Sequence, residues 1–273
     1  MQLVALQLNS QADWAANQAI IQQLLLRLPP ERPCLVLLPE NFACMGTTAD
    51  YQQLAEPLGL GPVQQQLSQW AQDYQIWLVA GSFPTKVKTQ EKVHTTSLVF
   101  NPLGELVAHY HKLHLFDVDV ADSRGRYRES DSFLPGEDLK VVETPFGGVG
   151  LSICYDLRFP ELFHALRSQG ANVLLLPAAF TKVTGQAHWQ PLLQARAIEN
   201  QCYVIAANQW GSHGGGRETF GHSMIIDPWG RILSMQQHQT GLISASLDIE
   251  KTEQIRQSMP VLQHARFQPA WRT

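Results

Sequence analysis

Cys154 closes the run Gly147-Gly-Val-Gly-Leu-Ser-Ile-Cys154 and is followed at once by Tyr155-Asp-Leu-Arg-Phe-Pro-Glu161. Val149, Leu151 and Ile153 alternate with small residues, the pattern of a strand packed on both faces, and Phe159-Pro160-Glu161 marks a helix start. The thiol thus sits where a strand ends, the place in α/β proteins from which side chains face a ligand crevice. A free thiol is mostly protonated at neutral pH, so a nucleophilic Cys154 needs a base and a cationic neighbour. Glu40, after the apolar run Cys34 to Leu38, is the right type for the first, and Lys112, at the end of a hairpin, for the second. Attack on a carbonyl or nitrile carbon builds negative charge that Lys112 and the backbone N–H of Tyr155 can hold, which is acyl transfer with an oxyanion hole. Each residue alone has a plainer use: a buried cysteine acts as a small hydrophobe, and single acids and lysines are mostly solvated.

What must position the three groups is an alternation of short apolar strands and amphipathic helices. Strands are expected at Leu3 to Leu8, Cys34 to Leu38 and Ile76 to Ala80, and helices at Asp13 to Leu28 and Pro62 to Tyr74. Trp14, Ile21, Leu24, Leu25 and Leu28 recur near a period of 3.6 in the first helix, and Val63, Leu67, Trp70 and Tyr74 do so in the second. Val93 to Phe100 and Leu106 to Tyr110 flank the turn Asn101-Pro-Leu-Gly104 and form a hairpin.

The second half repeats this order. Pro33 to Phe42 lies over Ala171 to Phe180 at an offset of 171 − 33 = 138, and Ser97 to Val107 lies over Ser223 to Leu233 at 223 − 97 = 126. Gln75 to Ala80 matches Gln201 to Ala206 at 126 again, and Val4 to Leu8 matches Val149 to Ile153 at 145. Two like halves imply two sheets facing each other, each covered outside by helices: an α/β fold of αββα layers with an internal pseudo-two-fold repeat. The halves differ where chemistry is expected. Glu40 faces Ala178, Cys154 faces Asn9 and Lys112 faces His238, so an acid, a thiol and an amine each occur on one copy only.

Composition narrows the partners. With 273 residues, 44% hydrophobic and 16% charged, the chain can bury a large core. A formal charge of −4 and a pI near 6.2 give no electrostatic case for nucleic acid or an anionic membrane. Cys34, Cys44, Cys154 and Cys202 form no CxxC pair and the histidines show no zinc spacing, so no structural metal is expected. The N-terminus lacks a secretory pattern and no apolar run is long enough to span a bilayer, which reads as a reduced, cytoplasmic protein.

Four segments carry a resemblance to a known family: Leu37-Leu-Pro-Glu-Asn-Phe42, Tyr110-His-Lys-Leu-His-Leu-Phe116, Gly150 to Glu161, and Ala187-His-Trp-Gln-Pro-Leu-Leu-Gln-Ala-Arg-Ala-Ile-Glu-Asn200. Over essentially its whole length the chain resembles the nitrilase superfamily of carbon–nitrogen hydrolases. That resemblance implies one αββα domain over 1–273 and a catalytic Glu40, Lys112 and Cys154. It adds Glu129, in Tyr127-Arg-Glu-Ser-Asp131, as a second glutamate orienting Lys112; a polar-loop acid is otherwise simply solvated. It also implies a homodimer or higher homo-oligomer, with the tail from about 255 at the interface through Val261, Leu262, Phe267 and Trp271.

Within the superfamily, Lys112 to Val120, Cys154 to Leu162, Gly185-Gln-Ala-His-Trp189 and Gly221 to Gly230 are most similar to the deaminated glutathione amidases, with the ω-amidases of α-ketoglutaramate close by. The implied reaction is hydrolysis of a small ω-amide to acid plus ammonia through a Cys154 thioester. Both substrates are amides of a five-carbon keto-diacid, so a cation should read the keto-carboxylate; Arg158, just after Cys154, is the candidate, or else only an ion-pair partner. The resemblance adds Phe180 and Thr184, beside Tyr155, as pocket contacts. Two other readings stay open: a Cys–His hydrolase using His164 or His188, and a catalytically silent scaffold. The histidines from His109 to His114 alternate along a strand and are expected to point to opposite faces, against shared metal ligation. Gly211-Ser-His-Gly-Gly-Gly-Arg217 lacks a phosphate-loop ending and reads as a flexible loop at a pocket rim.

Overall fold

The computed structural model describes residues 1–88, 90–267 and 270. The main strands of its two large sheets, in chain order, are β1 (Gln2–Gln7), β2 (Cys34–Leu37), β3 (Trp77–Lys86), β4 (Val93–Phe100), β5 (Leu106–His111), β6 (Val141–Thr144), β7 (Gly147–Leu151), β8 (Ala171–Ala178), β9 (Tyr203–Asn208), β10 (Ser223–Ile226), β11 (Ile232–Gln236) and β12 (Gly241–Ser246). The first sheet runs β12-β1-β2-β3-β4-β5, with the short strand Phe133–Leu134 beside β4, and the second runs β6-β7-β8-β9-β10-β11. Read in that direction, both sheets pair antiparallel, parallel, parallel, antiparallel, antiparallel. Every overlay found in the sequence joins strands that occupy the same place in the two sheets. The pairs are β1 with β7, β2 with β8, β3 with β9, β4 with β10 and β5 with β11.

The layers follow from which alternate residues are apolar, because successive strand residues point to opposite faces. Leu3, Ala5, Leu35 and Leu37 share a core with Val149, Leu151, Val173 and Leu175 of the facing sheet. Val4, Leu6 and Val36 turn the other way, onto Ile21, Leu24 and Leu25 of α1 (Trp14–Leu25) and Val63, Leu67 and Trp70 of α3 (Pro62–Asp73). α4 (Pro160–Ser168) and α5 (Lys182–Asn200) add Phe163, Leu166, Trp189 and Leu193 to the core of the second sheet. Each fully buried Leu, Ile or Phe contributes about 1.5–3 kcal/mol. Asp13 caps α1 by accepting from the Ala15 N–H at 3.0 Å, and Pro62 opens α3 where its missing N–H is not needed.

The structure departs from the sequence reading in several places. α2 (Thr48–Leu54) starts on a capping box, in which the Thr47 side chain and Asp50 bond reciprocally. β3 continues past Ala80 to Lys86 because a register shift between Ala80 and Phe83 lets the strand keep pairing with β4. α5 begins at Lys182, so His188 lies in its second turn. His109 and His111, two residues apart, share the outer face of the sheet and do not oppose each other: their rings lie 5.0 Å apart, and His94 stacks on His111 at 4.1 Å. Burial, then the neighbouring His94 and His109, push His111 down to about 4. Among the described residues no group of three His, Cys, Asp or Glu is arranged for a metal ion, all four cysteines are free thiols, and no helix is long and apolar enough to cross a membrane. Val261, Leu262 and Phe267 are exposed beyond α6 (Ile249–Ser258), while Trp271 lies outside the described residues.

Candidate active site

Three chain segments that leave the sheets on one side meet in a cavity of about 620 Å³, a size suited to a small metabolite. Glu40 follows β2, Lys112 follows β5 and Cys154 follows β7. Glycine is required at 81, on β3, to let this happen: a Cβ there would come within 2.1 Å of the Pro39 carbonyl oxygen and push the segment carrying Glu40 away.

Cys154 opens a single 3-10 turn, Cys154–Arg158, with φ at +48°, a left-handed conformation that costs a non-glycine residue roughly 1–3 kcal/mol. Asp156, fully buried, holds that turn. Its Oδ2 accepts from the Ile153 N–H at 2.8 Å and from the Tyr110 hydroxyl at 2.8 Å. Its Oδ1 lies 2.7 Å from His114 Nδ1 and accepts from the His114 N–H at 3.2 Å. Tyr110 and His114 bracket Lys112 by two residues on either side. One carboxylate therefore ties the thiol's turn to the segment carrying the amine.

Lys112 is almost wholly enclosed, and its Nζ donates to Glu40 Oε1 at 3.0 Å and to Glu129 at 2.8 and 3.1 Å. Glu40 is held from the opposite half: the Ala179 N–H donates to its Oε2 at 2.7 Å, and Ala179 comes directly after the repeat counterpart of Glu40. Glu129 also accepts from the Phe116 N–H at 2.7 Å and the Thr95 hydroxyl at 3.2 Å, so it is anchored and not solvated.

The charges follow. Burial acts to raise the Glu40 carboxyl, but Lys112, then Arg217, outweigh it and hold it below the usual glutamate range. Burial acts to lower Lys112, but Glu129 and Glu40 outweigh it and keep the ammonium charged well above neutral pH. Burial, then the Glu40 charge, pushes the Cys154 thiol well above its ordinary value. At rest the site holds a neutral thiol beside an ionised carboxylate, the state from which a base can take the proton as the sulfur attacks.

Tyr155, Phe180 and Thr184 line the same cavity. Arg158 does not. Its guanidinium lies 3.3 Å from His188 Nδ1 and packs 5.1 Å over the ring of Phe180. His164 and His188 are exposed on their helices and neither lines the cavity. The cavity also contains Tyr51 from α2 and Arg217 from the glycine-rich segment, which the sequence reading passed over. That segment is at the rim, with Gly214 and Gly215 lining the cavity, and it is tied down at both ends. Trp210–Ser212 pairs with Glu218–Phe220, and buried His213 bonds Ser10 O at 2.9 Å and Thr219 Oγ1 at 2.7 Å.

The arrangement has relatives. Over residues 3–257 the chain matches the family model described as carbon-nitrogen hydrolase. It is 46% identical over 263 residues to the deaminated glutathione amidase of Yersinia enterocolitica, covering 96% of this chain and 92% of that one. It is 40% identical over 265 residues to the Homo sapiens deaminated glutathione amidase, covering 95% and 80%. The crystal structure of Saccharomyces cerevisiae Nit3, a member of branch 10 of the nitrilase superfamily, matches with a TM-score of 0.86 at 31% identity, covering 98% of this chain and 97% of that one. A buried acid, amine and thiol drawn from both halves of a doubled αββα sandwich thus have the company their chemistry suggests, and the chain belongs to the carbon–nitrogen hydrolase family of the nitrilase superfamily.

Proposed function

We propose that this chain hydrolyses the ω-amide of a five-carbon keto-diacid, deaminated glutathione first and α-ketoglutaramate second, through a thioester on Cys154. The observation that carries the reading is the convergence of Glu40, Lys112 and Cys154 in one cavity, with the thiol neutral and the carboxylate ionised. Glu40 takes the thiol proton as sulfur attacks the amide carbon, and Lys112 with the Tyr155 N–H holds the oxyanion. Glu40 then protonates the leaving amine and later draws a proton from the water that opens the thioester. Glu129 keeps Lys112 oriented, and Tyr155, Phe180 and Thr184 shape the pocket. No step calls for a metal or organic cofactor.

The leaving amine depends on the substrate. In deaminated glutathione the ω-amide nitrogen belongs to cysteine, so cysteinylglycine departs; in α-ketoglutaramate ammonia does. Both deliver the same 2-oxoglutaryl group to Cys154, so the two differ only in how the leaving side is bound. The test is kcat/KM for both keto-amides with intact-mass analysis of acid-quenched enzyme. The expected result is turnover of both, deaminated glutathione faster, with one 2-oxoglutaryl adduct on the Cys154 peptide. A wide win for α-ketoglutaramate would remove the preferred substrate and leave the mechanism; no product and no adduct across an amide panel would leave only a scaffold.

We read residues 1–273 as one domain in the cytoplasm that pairs with a second copy through its tail. The exposed Val261, Leu262 and Phe267 support this, since they form apolar surface without cover among the described residues. Sedimentation velocity should give at least twice the mass of one chain, and a sharp monomer at micromolar concentration would remove the dimer.

A further inference from the structure

The cavity holds a cation, Arg217, that acts on Glu40 only through space and to which the thiol chemistry gives no bonding partner. Lys112 is saturated by Glu40 and Glu129, Arg128 donates to Asp119 at 2.9 Å, and Arg124 lies 5.1 Å over the Tyr127 ring. Arg217 has no such occupation. It makes no ion pair among the described residues, its Nε is buried without a hydrogen-bond partner, and its one side-chain bond is a long 3.4 Å donation from Nη2 to Ala179 O. Ala179 is also the residue whose N–H holds Glu40, so the guanidinium and the Glu40 carboxylate meet the same residue. Of the groups around the cavity that act on Arg217, Glu40 is the one charged at rest.

The backbone fixes where this cation is presented. The His213 N–H donates to Arg217 O at 2.8 Å, His213 is itself pinned on both ring nitrogens, and strand pairing begins again at Glu218. A buried guanidinium N–H without an acceptor is costly, and a planar fork of donors fits a carboxylate with two parallel bonds. The resting protein thus carries a buried guanidinium N–H without an acceptor, lining the same cavity as the thiol, on a segment tied down through His213.

We propose that Arg217 reads the carboxylate on the acyl side of the substrate, and that this contact makes the enzyme select keto-acid amides over neutral amides. The assignment rests on the substrate reading above and takes the place expected for Arg158. Because deaminated glutathione and α-ketoglutaramate share their acyl half, Arg217 serves both alike and does not choose between them.

The experiment uses the full chain and measures kcat/KM for α-ketoglutaramate and for butyramide, in the wild type, Arg217→Met and Arg217→Lys. Inhibition by 2-oxoglutarate and by butyrate is measured in parallel. The wild type should prefer the keto-acid amide, and Arg217→Met should lower the ratio of the two kcat/KM values about 10²-fold, chiefly through KM. The 2-oxoglutarate inhibition constant should rise by a similar factor and butyrate's should change little. Arg217→Lys, which keeps the charge but not the fork, should fall between. If the wild type has no preference for the keto-acid amide, the substrate reading fails and takes this assignment with it. If the wild type has that preference and both variants keep it, Arg217 is not the reader while the substrate reading stands. Should Arg217→Met fail to fold, Arg217→Lys with unchanged 2-oxoglutarate inhibition overturns the assignment equally.

Discussion

Glu40→Gln is expected to lower kcat/KM on the amide about 10⁴-fold while leaving Cys154 open to alkylation. Glutamine keeps the shape of the side chain and an oxygen to accept the Ala179 N–H, so the cavity wall stays in place. What goes is the proton acceptor, which serves in attack, in departure of the amine and again in hydrolysis of the thioester; one general acid–base contributes about 10²–10⁴-fold. The thiol responds in the opposite sense. Burial is the first cause of its raised pKa, the negative Glu40 is the second, and Lys112 with the Ala179 backbone opposes both. Removing the Glu40 charge leaves Lys112 with less opposition, so the thiol pKa falls and alkylation by iodoacetamide begins at lower pH than in the wild type. Amide turnover and the pH dependence of alkylation, followed by intact mass, check this split. Full turnover in Glu40→Gln with loss in His188→Ala would falsify the base assignment. The wild type should also show no limb in kcat/KM near pH 6.5, the ordinary range of a histidine base.

The fold was legible because each half repeats the order of the other, and register is enforced wherever both faces of a strand are buried. Glu40, Lys112 and Cys154 were legible for the converse reason: at those positions the halves disagree, and packing alone gives no cause for disagreement. The same comparison held a signal for Arg217 that went unread. The offset of 126 holds on both sides of it, and 217 − 126 = 91 is Glu91, an exposed acid. Its setting among glycines suggested looseness, whereas His213 pins the segment through contacts to Ser10, some 200 residues earlier in the chain, which no local pattern displays. Arg158 shows the opposite relation. Nearness in sequence to Cys154 suggested nearness to substrate, but a 3-10 turn of five residues carries the side chain round to His188. α2 had its own marker in the Thr47 to Asp50 capping spacing, too short a helix to show an apolar period.

Lys112→Met tests the charge balance on which the site rests. With Lys112 gone, Glu40 and Glu129 face each other in an enclosed cavity with Arg217 as the remaining cation that acts on Glu40. Two like carboxylates in that position cannot both stay ionised cheaply, and one takes up a proton. Loss of the oxyanion donor alone removes about 10²–10³-fold in kcat, and protonation of the base adds to it, so a loss of at least about 10³-fold is expected. Stability changes with a definite sign. In the wild type Glu40 is held below its unfolded value of about 4.3, so its contribution is present above that pH and is lost as pH falls. In the variant a carboxyl is raised above about 4.3, so the penalty is absent below that pH and grows as pH rises through it. The gap in melting temperature should therefore be smallest at acid pH below the folded value of Glu40, and should widen steadily toward pH 7. There the variant loses about 3–5 kcal/mol, the usual cost of leaving a buried charge uncompensated. Melting curves across that range decide the matter: a gap that stays constant with pH, or closes as pH rises, would mean that Lys112 does not offset the two carboxylates, and the thiol would then lack the neighbour its chemistry needs.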